Sequence, residues 1–207
     1  MKRAVIIGSA PVSDWSFLQR WLTPEAMIIC ADGGLVAAQA LGLTADWYVG
    51  DSDSGGCTGH CPADVLPSEK DVTDLDMAVS RAIREGCDEI VLCGCTGGRA
   101  DHHLSAIGQL ERIHRLGAEG VLVDECNEMR LLYPGIHTIK EQTQFHYFGL
   151  IPLDALLTEV TITGAKYEVT NQSFCRWESL GVSNQPLPGR DCVIRIGSGM
   201  GLLILSN

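Results

Sequence analysis

Through the first 125 residues, short apolar runs alternate with longer stretches in which apolar side chains recur every three or four positions. That alternation predicts strands joined by helical crossovers, the pattern of a mostly parallel sheet with helices on its faces. The runs place strands over 3–8, 26–31, 47–50, 64–66, 89–93 and 120–124. Over 74–85, Leu75, Ala78, Val79, Ala82 and Ile83 fall on one helical face. Thr73 is a suitable N-cap, and Asp76 three residues on completes a capping-box pattern. A second helix from Asp101 carries Leu104, Ile107, Leu110, Ile113 and Leu116 and stops at Gly117, a C-terminal cap.

Beyond residue 125 the period changes to two. Alternating runs over 128–132, 144–148, 159–163, 192–196 and 202–205 are separated by Gly, Pro and Asn turns. The fold class expected is therefore α/β: a Rossmann-like three-layer domain over 1–125, followed by a small all-β sandwich over 126–207.

Composition narrows the function. The 207 residues are 45% apolar and carry a formal net charge of −11, with no basic patch to meet phosphates, so a nucleic-acid partner is excluded. Arg81 and Arg84 on one helix, and Arg112, His114 and Arg115 near the end of the other, read as solvated faces. The first apolar run, ending at Gly8, is too short for a signal or a membrane span. Nine cysteines are an odd number, and Cys30, Cys93 and Cys95 lie inside apolar runs, as free thiols in a reducing cytoplasm would. Cys57, His60 and Cys61 offer three soft ligands close together, but no Cys-x-x-Cys pair completes a zinc set.

The candidate chemistry is acidic. Asp51-Ser52-Asp53 leaves an apolar run as a pair, and two such charges about 4 Å apart repel by roughly 4 kcal/mol at an effective dielectric near 20. Either the segment is a solvated turn or it holds a cation, for which a hard ion such as Mg²⁺ suits oxygen ligands. Asp32-Gly33-Gly34, Asp71-Val72-Thr73-Asp74 and Gly97-Gly98-Arg99-Ala100-Asp101 also follow apolar runs and precede helical patterns, and ligands of open α/β sheets bind beyond the carboxyl ends of the strands. Asp51, Asp53 and Asp74 are thus the candidate Mg²⁺ ligands. Gly97 and Gly98 allow close backbone approach to an anion, and Arg99 adds a fork of donors suited to phosphate oxygens. His102 and His103 are adjacent and point in different directions, so they read as polar residues of a helix's first turn.

These motifs, with Gly164-Ala165-Lys166-Tyr167 and Gly181-Val182-Ser183-Asn184, resemble in order and spacing those of bacterial thiamine pyrophosphokinase over nearly the whole chain. The resemblance implies transfer of a diphosphate group from ATP to the thiamine hydroxyl, with release of AMP, in a homodimer whose active sites lie at the subunit interface. It places Asp51, Asp53 and Asp74 at the Mg²⁺ and catalytic positions, and Arg99 and Asp101 as a further catalytic pair. Asp32, Lys70, Asp71, Thr73, Gly97 and Gly98 join Arg99 on the ATP side, and Ser183 and Asn184, with Asp101, lie on the thiamine side. The chain departs from the family at His103-Leu104-Ser105-Ala106, where Thr-Leu-Ala-Asn is usual.

Such a site stabilises charge on non-bridging phosphate oxygens, and an acidic cleft favours entry of cationic thiamine. Asp101 or one of the paired acids is expected to orient or deprotonate the thiamine hydroxyl. Two other readings remain: a Mg²⁺-dependent phosphohydrolase with Asp51 as nucleophile, and a non-catalytic nucleotide-binding module.

Overall fold

A computed structural model describes residues 1–50, 61–65, 71–140 and 144–207. Contacts along the chain divide it into two compact units, Met1–Glu125 and Cys126–Asn207. In the first, strands β1 (Arg3–Ile7), β2 (Met27–Ala31), β3 (Trp47–Gly50), β4 (Ala63–Val65), β5 (Glu89–Cys93) and β6 (Glu119–Val123) alternate with helices α1 (Gly34–Ala40), α2 (Asp74–Arg84) and α3 (Ala100–Arg115). The strands pair in parallel in the order β4-β3-β2-β1-β5-β6.

Strand alternation sorts the apolar residues between two faces. Val5, Ile7, Ile28, Cys30, Tyr48, Val91, Cys93, Val121 and Val123 form one cluster with Ala38 of α1 and with Leu18 and Trp21 from a short 3-10 turn over Ser16–Arg20 and its end. Helix α2 packs on β1, β2 and β3, and α3 packs on β6. A side chain at Gly120 would meet Leu110 and Ile113 of α3.

Helix α2 begins as the capping signal predicts. The Thr73 hydroxyl accepts from the Asp76 amide at 3.2 Å, and the Asp76 carboxylate accepts from the Thr73 amide at 3.4 Å and from its hydroxyl at 2.8 Å. Helix α3 ends at Leu116, with Gly117 at φ +85° in the left-handed region that favours glycine. Its buried face differs from the expected one. Ala106, Gln109, Leu110 and Ile113 are buried, whereas Leu104 is 70% exposed and Leu116 is 47% exposed. A polar Gln109 on the inner face, in place of a leucine, hides this register from a hydrophobic count.

Arg84, His114 and Arg115 are exposed as expected, whereas Arg81 and Arg112 are less solvated. Arg81 forks onto Asp64 of β4 at 2.7 to 3.1 Å while its guanidinium carbon lies 3.8 Å from the centre of the Trp47 ring on β3. It ties α2 to the outer two strands through charge-assisted hydrogen bonds and a cation–π contact. Arg112 likewise reaches from α3 to the Asp76 carbonyl at 2.9 Å and the Ser80 hydroxyl at 2.8 Å on α2.

The second unit contains β7 (Asn127–Leu132), β8 (Gly135–Ile139), β9 (Tyr147–Pro152), β10 (Leu156–Thr163), β11 (Val169–Cys175), β12 (Cys192–Ile196) and β13 (Gly201–Ser206). β13 pairs antiparallel with β7 and β9, while β11-β10-β12-β8 form a second antiparallel sheet. Leu132, Phe148, Leu150 and Leu203 from the first set meet Leu157, Val160, Ile162, Phe174, Ile194 and Ile196 from the second in one core. This is a sandwich. Two of its strands lack a predicting pattern: β8 and β11 lie at opposite edges of their sheet and are largely exposed. The strand expected over 144–148 begins instead at Tyr147 and runs to Pro152.

Candidate active site

The carboxyl ends of the parallel strands lie close together. β1 stands between β2 and β5, the point from which the strand order runs outward both ways, and open α/β sheets bind ligands at such a point. The amide of Gly8 donates to the Cys93 carbonyl and that of Ala10 to the Gly94 carbonyl, each at 2.8 Å. Helix α1 starts with its backbone against β1: a Cβ at Gly34 would stand 1.9 Å from the Ile7 carbonyl oxygen, so only glycine fits. Asp32 sits in the left-handed region at φ +52° and donates its amide to the Val49 carbonyl at 2.8 Å. A Cβ at Gly50 would lie 3.3 Å from the Asp32 Cα, so the end of β3 and Asp32 are neighbours.

The acidic turn before α2 has two characters. Asp71, Val72 and Thr73 are exposed and Asp74, the first residue of the helix, is half-buried. Asp76 faces back to Thr73 in the capping box. An acid in the first turn is stabilised by the helix dipole.

The start of α3 is built differently. Gly97 adopts φ +80°, and a Cβ on Gly98 would touch the Pro11 and Ala10 side chains at 3.6 and 3.8 Å. The glycine turn therefore rests on the loop after β1. Thr96, buried, donates its hydroxyl to Asp124 at 3.0 Å, and Glu125 accepts from the amides of Ser13 and Asp14. Arg99 occupies the N-cap position and its side chain makes no capping bond, while the Asp101 carboxylate accepts from the His102 amide at 3.0 Å. Its guanidinium forks onto Asp101 at 3.1 and 2.6 Å, with both side chains mostly exposed. The Arg99 fork pulls the Asp101 carboxyl below its ordinary value, against an opposing effect of burial, and the same contact raises Arg99. Behind them Cys95 is buried, which pushes its thiol up to about 12. It is structural, not nucleophilic. The eight described cysteines are all free thiols.

In the second unit, the motif that ends at Tyr167 and the expected thiamine-side loop of Ser183 and Asn184 come together. Asn184 is 6% exposed. Its side-chain oxygen accepts from the Tyr167 and Gln185 amides at 3.0 and 2.9 Å, and its side-chain nitrogen donates to the Tyr167 carbonyl at 2.8 Å. The carboxamide fastens the loop on which Ser183 and Asn184 sit; a buried amide without partners costs about 1–3 kcal/mol. Ser183 beside it is exposed at φ +59°, and Tyr167 stays 58% exposed.

Asp51, Asp53 and Lys70, with Cys57 and His60, lie outside the described residues. Among the described residues, no three His, Cys, Asp or Glu side chains gather to hold a metal ion. The structure brings Gly97, Gly98, Arg99 and Asp101 together and sets Asp32 beside the end of β3. Reading the sequence missed the loop after β1, with Ala10 and Pro11, because no charged or ligand-type residue marks it. It also missed Gln109, whose polarity argues against the inner face of a helix.

A parallel α/β domain with Arg99 at the N-cap position of a helix beyond its strands, followed by a β-sandwich, is an architecture that suits a two-domain nucleotide-binding protein. Residues 18–122 match the thiamin pyrophosphokinase catalytic domain and residues 136–200 match the thiamin pyrophosphokinase vitamin B1 binding domain. A thiamine pyrophosphokinase from Bacillus subtilis is 30% identical over 197 residues, 92% of each chain. The crystal structure of the Bacillus subtilis thiamine pyrophosphokinase superposes with a TM-score of 0.89 at 27% identity, covering 100% of this chain and 99% of that one. A thiamin pyrophosphokinase structure from Geobacillus thermodenitrificans gives 0.86 at 25% identity, covering 99% and 97%. The chain belongs to the thiamine pyrophosphokinase family and is an enzyme of that class.

Proposed function

We propose that this enzyme transfers a diphosphate group from ATP to the hydroxyl of thiamine, giving thiamine diphosphate and AMP. The observation that carries the reading is the start of α3, where a glycine turn precedes a helix whose N-cap residue, Arg99, makes no capping bond and keeps its guanidinium mostly exposed beside Asp101. Amides at a helix start and a planar guanidinium both favour phosphate oxygens, in a chain that also matches a vitamin B1 binding domain.

Gly97, Gly98 and Arg99 hold the polyphosphate, with Asp32, Lys70, Asp71 and Thr73 lining the same side. Asp51, Asp53 and Asp74 are the ligands for Mg²⁺; a hard cation prefers such carboxylates, and Asp74 stands at the first turn of α2. When bound, the ion supplies neutralisation of charge on the transferring phosphates. Asp101, its pKa lowered by Arg99, is a weaker proton acceptor than an unpaired aspartate. Its role is to orient the guanidinium, so that proton acceptance from thiamine falls to one of the other acids. Ser183 and the exposed Tyr167 face thiamine, on a loop held by Asn184. The net charge of −11 favours approach of the thiamine cation. The enzyme acts as a cytoplasmic homodimer of Rossmann-like and sandwich domains, and no described helix is long and apolar enough to cross a membrane.

The test is incubation of the purified protein with ATP, Mg²⁺ and thiamine, with nucleotides and thiamine esters separated by chromatography. AMP and thiamine diphosphate in equal amounts are expected. ADP with thiamine monophosphate would make it a simple kinase, free phosphate a hydrolase, and no product a binding module.

A further inference from the structure

Asp76 is two residues from Asp74 yet faces another way. One carboxylate oxygen accepts from Thr73, as the capping box requires, and the other accepts from the Gln109 side-chain amide of α3 at 2.9 Å. Gln109 is only 6% exposed, and its own oxygen accepts from Arg112 at 3.4 Å. Arg112 then reaches back to the Asp76 carbonyl and the Ser80 hydroxyl, and that hydroxyl donates to the same carbonyl at 2.9 Å. Every group in this chain of contacts has a partner of the right polarity.

A helix pair needs no such network to be stable. Apolar side chains of similar shape at a buried site contribute as much as a satisfied polar pair, and the face around Gln109 is otherwise Ala106, Leu110 and Ile113. Apolar contacts tolerate sliding, whereas hydrogen bonds near 2.9 Å fix direction and distance. The groups that would be misplaced by sliding are at the helix starts: Thr73 and Asp74 on α2, Arg99 and Asp101 on α3.

We propose that Asp76 is a positioning residue which, through Gln109 and Arg112, sets the register of the α2 start against α3 and so aligns the carboxylate side of the active site with its phosphate-binding side. The inference rests on the functional reading above. Displacement of catalytic groups by about 1 Å costs up to about a hundredfold in rate, so a register function shows as a loss of turnover in a folded protein.

Three variants test it. Gln109→Leu keeps the volume and removes the bond. Gln109→Glu sets a second carboxylate against Asp76. The double variant Asp76→Asn with Gln109→Glu restores the pair with donor and acceptor exchanged: the amide nitrogen introduced at position 76 faces the carboxylate introduced at position 109, and the amide oxygen still accepts from Thr73. Turnover and the Mg²⁺ half-saturation are measured along with the rise in thermal midpoint on adding Mg²⁺ and ATP without thiamine. Gln109→Glu is expected to lose about tenfold or more in kcat and most of the Mg²⁺·ATP thermal shift, Gln109→Leu less, and the double variant to return within about threefold of the parent. KM for thiamine stays nearly constant. The proposal is overturned if Gln109→Leu, folded by circular dichroism, keeps parental kcat and thermal shift, or if the folded double variant is no better than Gln109→Glu. Should the parent make no thiamine diphosphate, the functional reading fails by itself, and the thermal shifts still decide the register.

Discussion

The two helices whose first turns supply the proposed site begin in opposite ways. Helix α2 is closed at its start: Thr73 and Asp76 satisfy each other's amides. Helix α3 is more open: Arg99 at the N-cap makes no capping bond, a glycine turn stands in front, and among the described residues the one side chain bonded to a first-turn amide is Asp101, which accepts from His102 at 3.0 Å. A closed start holds side chains still and suits a mount for a metal-binding acid. An open start leaves amides and a guanidinium to meet an anion. The difference fits the proposal that α2 does cation work and α3 phosphate work.

The largest expected effect is on the closed helix. Asp74→Asn removes a charge but no volume, and turnover should fall by about a hundredfold or more, as when a group stabilising transition-state charge is lost. A variant within about tenfold of the parent in kcat would remove Asp74 from the metal site. Next is the open helix. Arg99→Met keeps the stem but loses the charge-assisted fork, and KM for ATP should rise about ten- to a hundredfold, since such bonds contribute about 1.5–3 kcal/mol. An unchanged KM would remove the Arg99 guanidinium from phosphate binding.

Asp101→Asn should act less strongly, through the orientation of Arg99. The folded pKa of Asp101 lies below its ordinary value, so the ion pair persists above the ordinary carboxylate range and is lost only as pH falls through that lowered value. The rate profile between about pH 5 and 9 should therefore keep its shape in the variant, because Asp101 does not titrate there. A basic limb that disappears with Asp101 would make it the proton acceptor after all. The smallest effect is expected from Thr73→Ala. Loss of the cap costs about 1 kcal/mol of stability, read as a lower denaturant midpoint.

Much of this contrast was legible in the sequence. Thr73 with Asp76 announced the closed start, and Gly97-Gly98 the glycine turn before α3, because caps and glycine turns are local chemistry. The buried strands β3, β5 and β12 were legible to the residue, since continuous or alternating apolar runs report burial directly. What stayed hidden depends on partners distant in the chain. Arg81 looked solvated until Asp64 and Trp47 came beside it. Gln109 concealed the inner face of α3, and the edge strands β8 and β11 bury too little to leave a pattern. The part Asn184 plays in fastening its loop to Tyr167 was hidden too, since Tyr167 lies seventeen residues away.

The division of labour between the helix starts is tested most directly by calorimetric titration of ATP into Asp74→Asn and Arg99→Met, with and without Mg²⁺. Asp74→Asn should bind ATP alone as the parent does and lose the gain in affinity that Mg²⁺ brings, whereas Arg99→Met should bind more weakly in both conditions by a similar factor. Equal loss of the Mg²⁺ gain in both variants, or parental ATP binding by Arg99→Met, would contradict it.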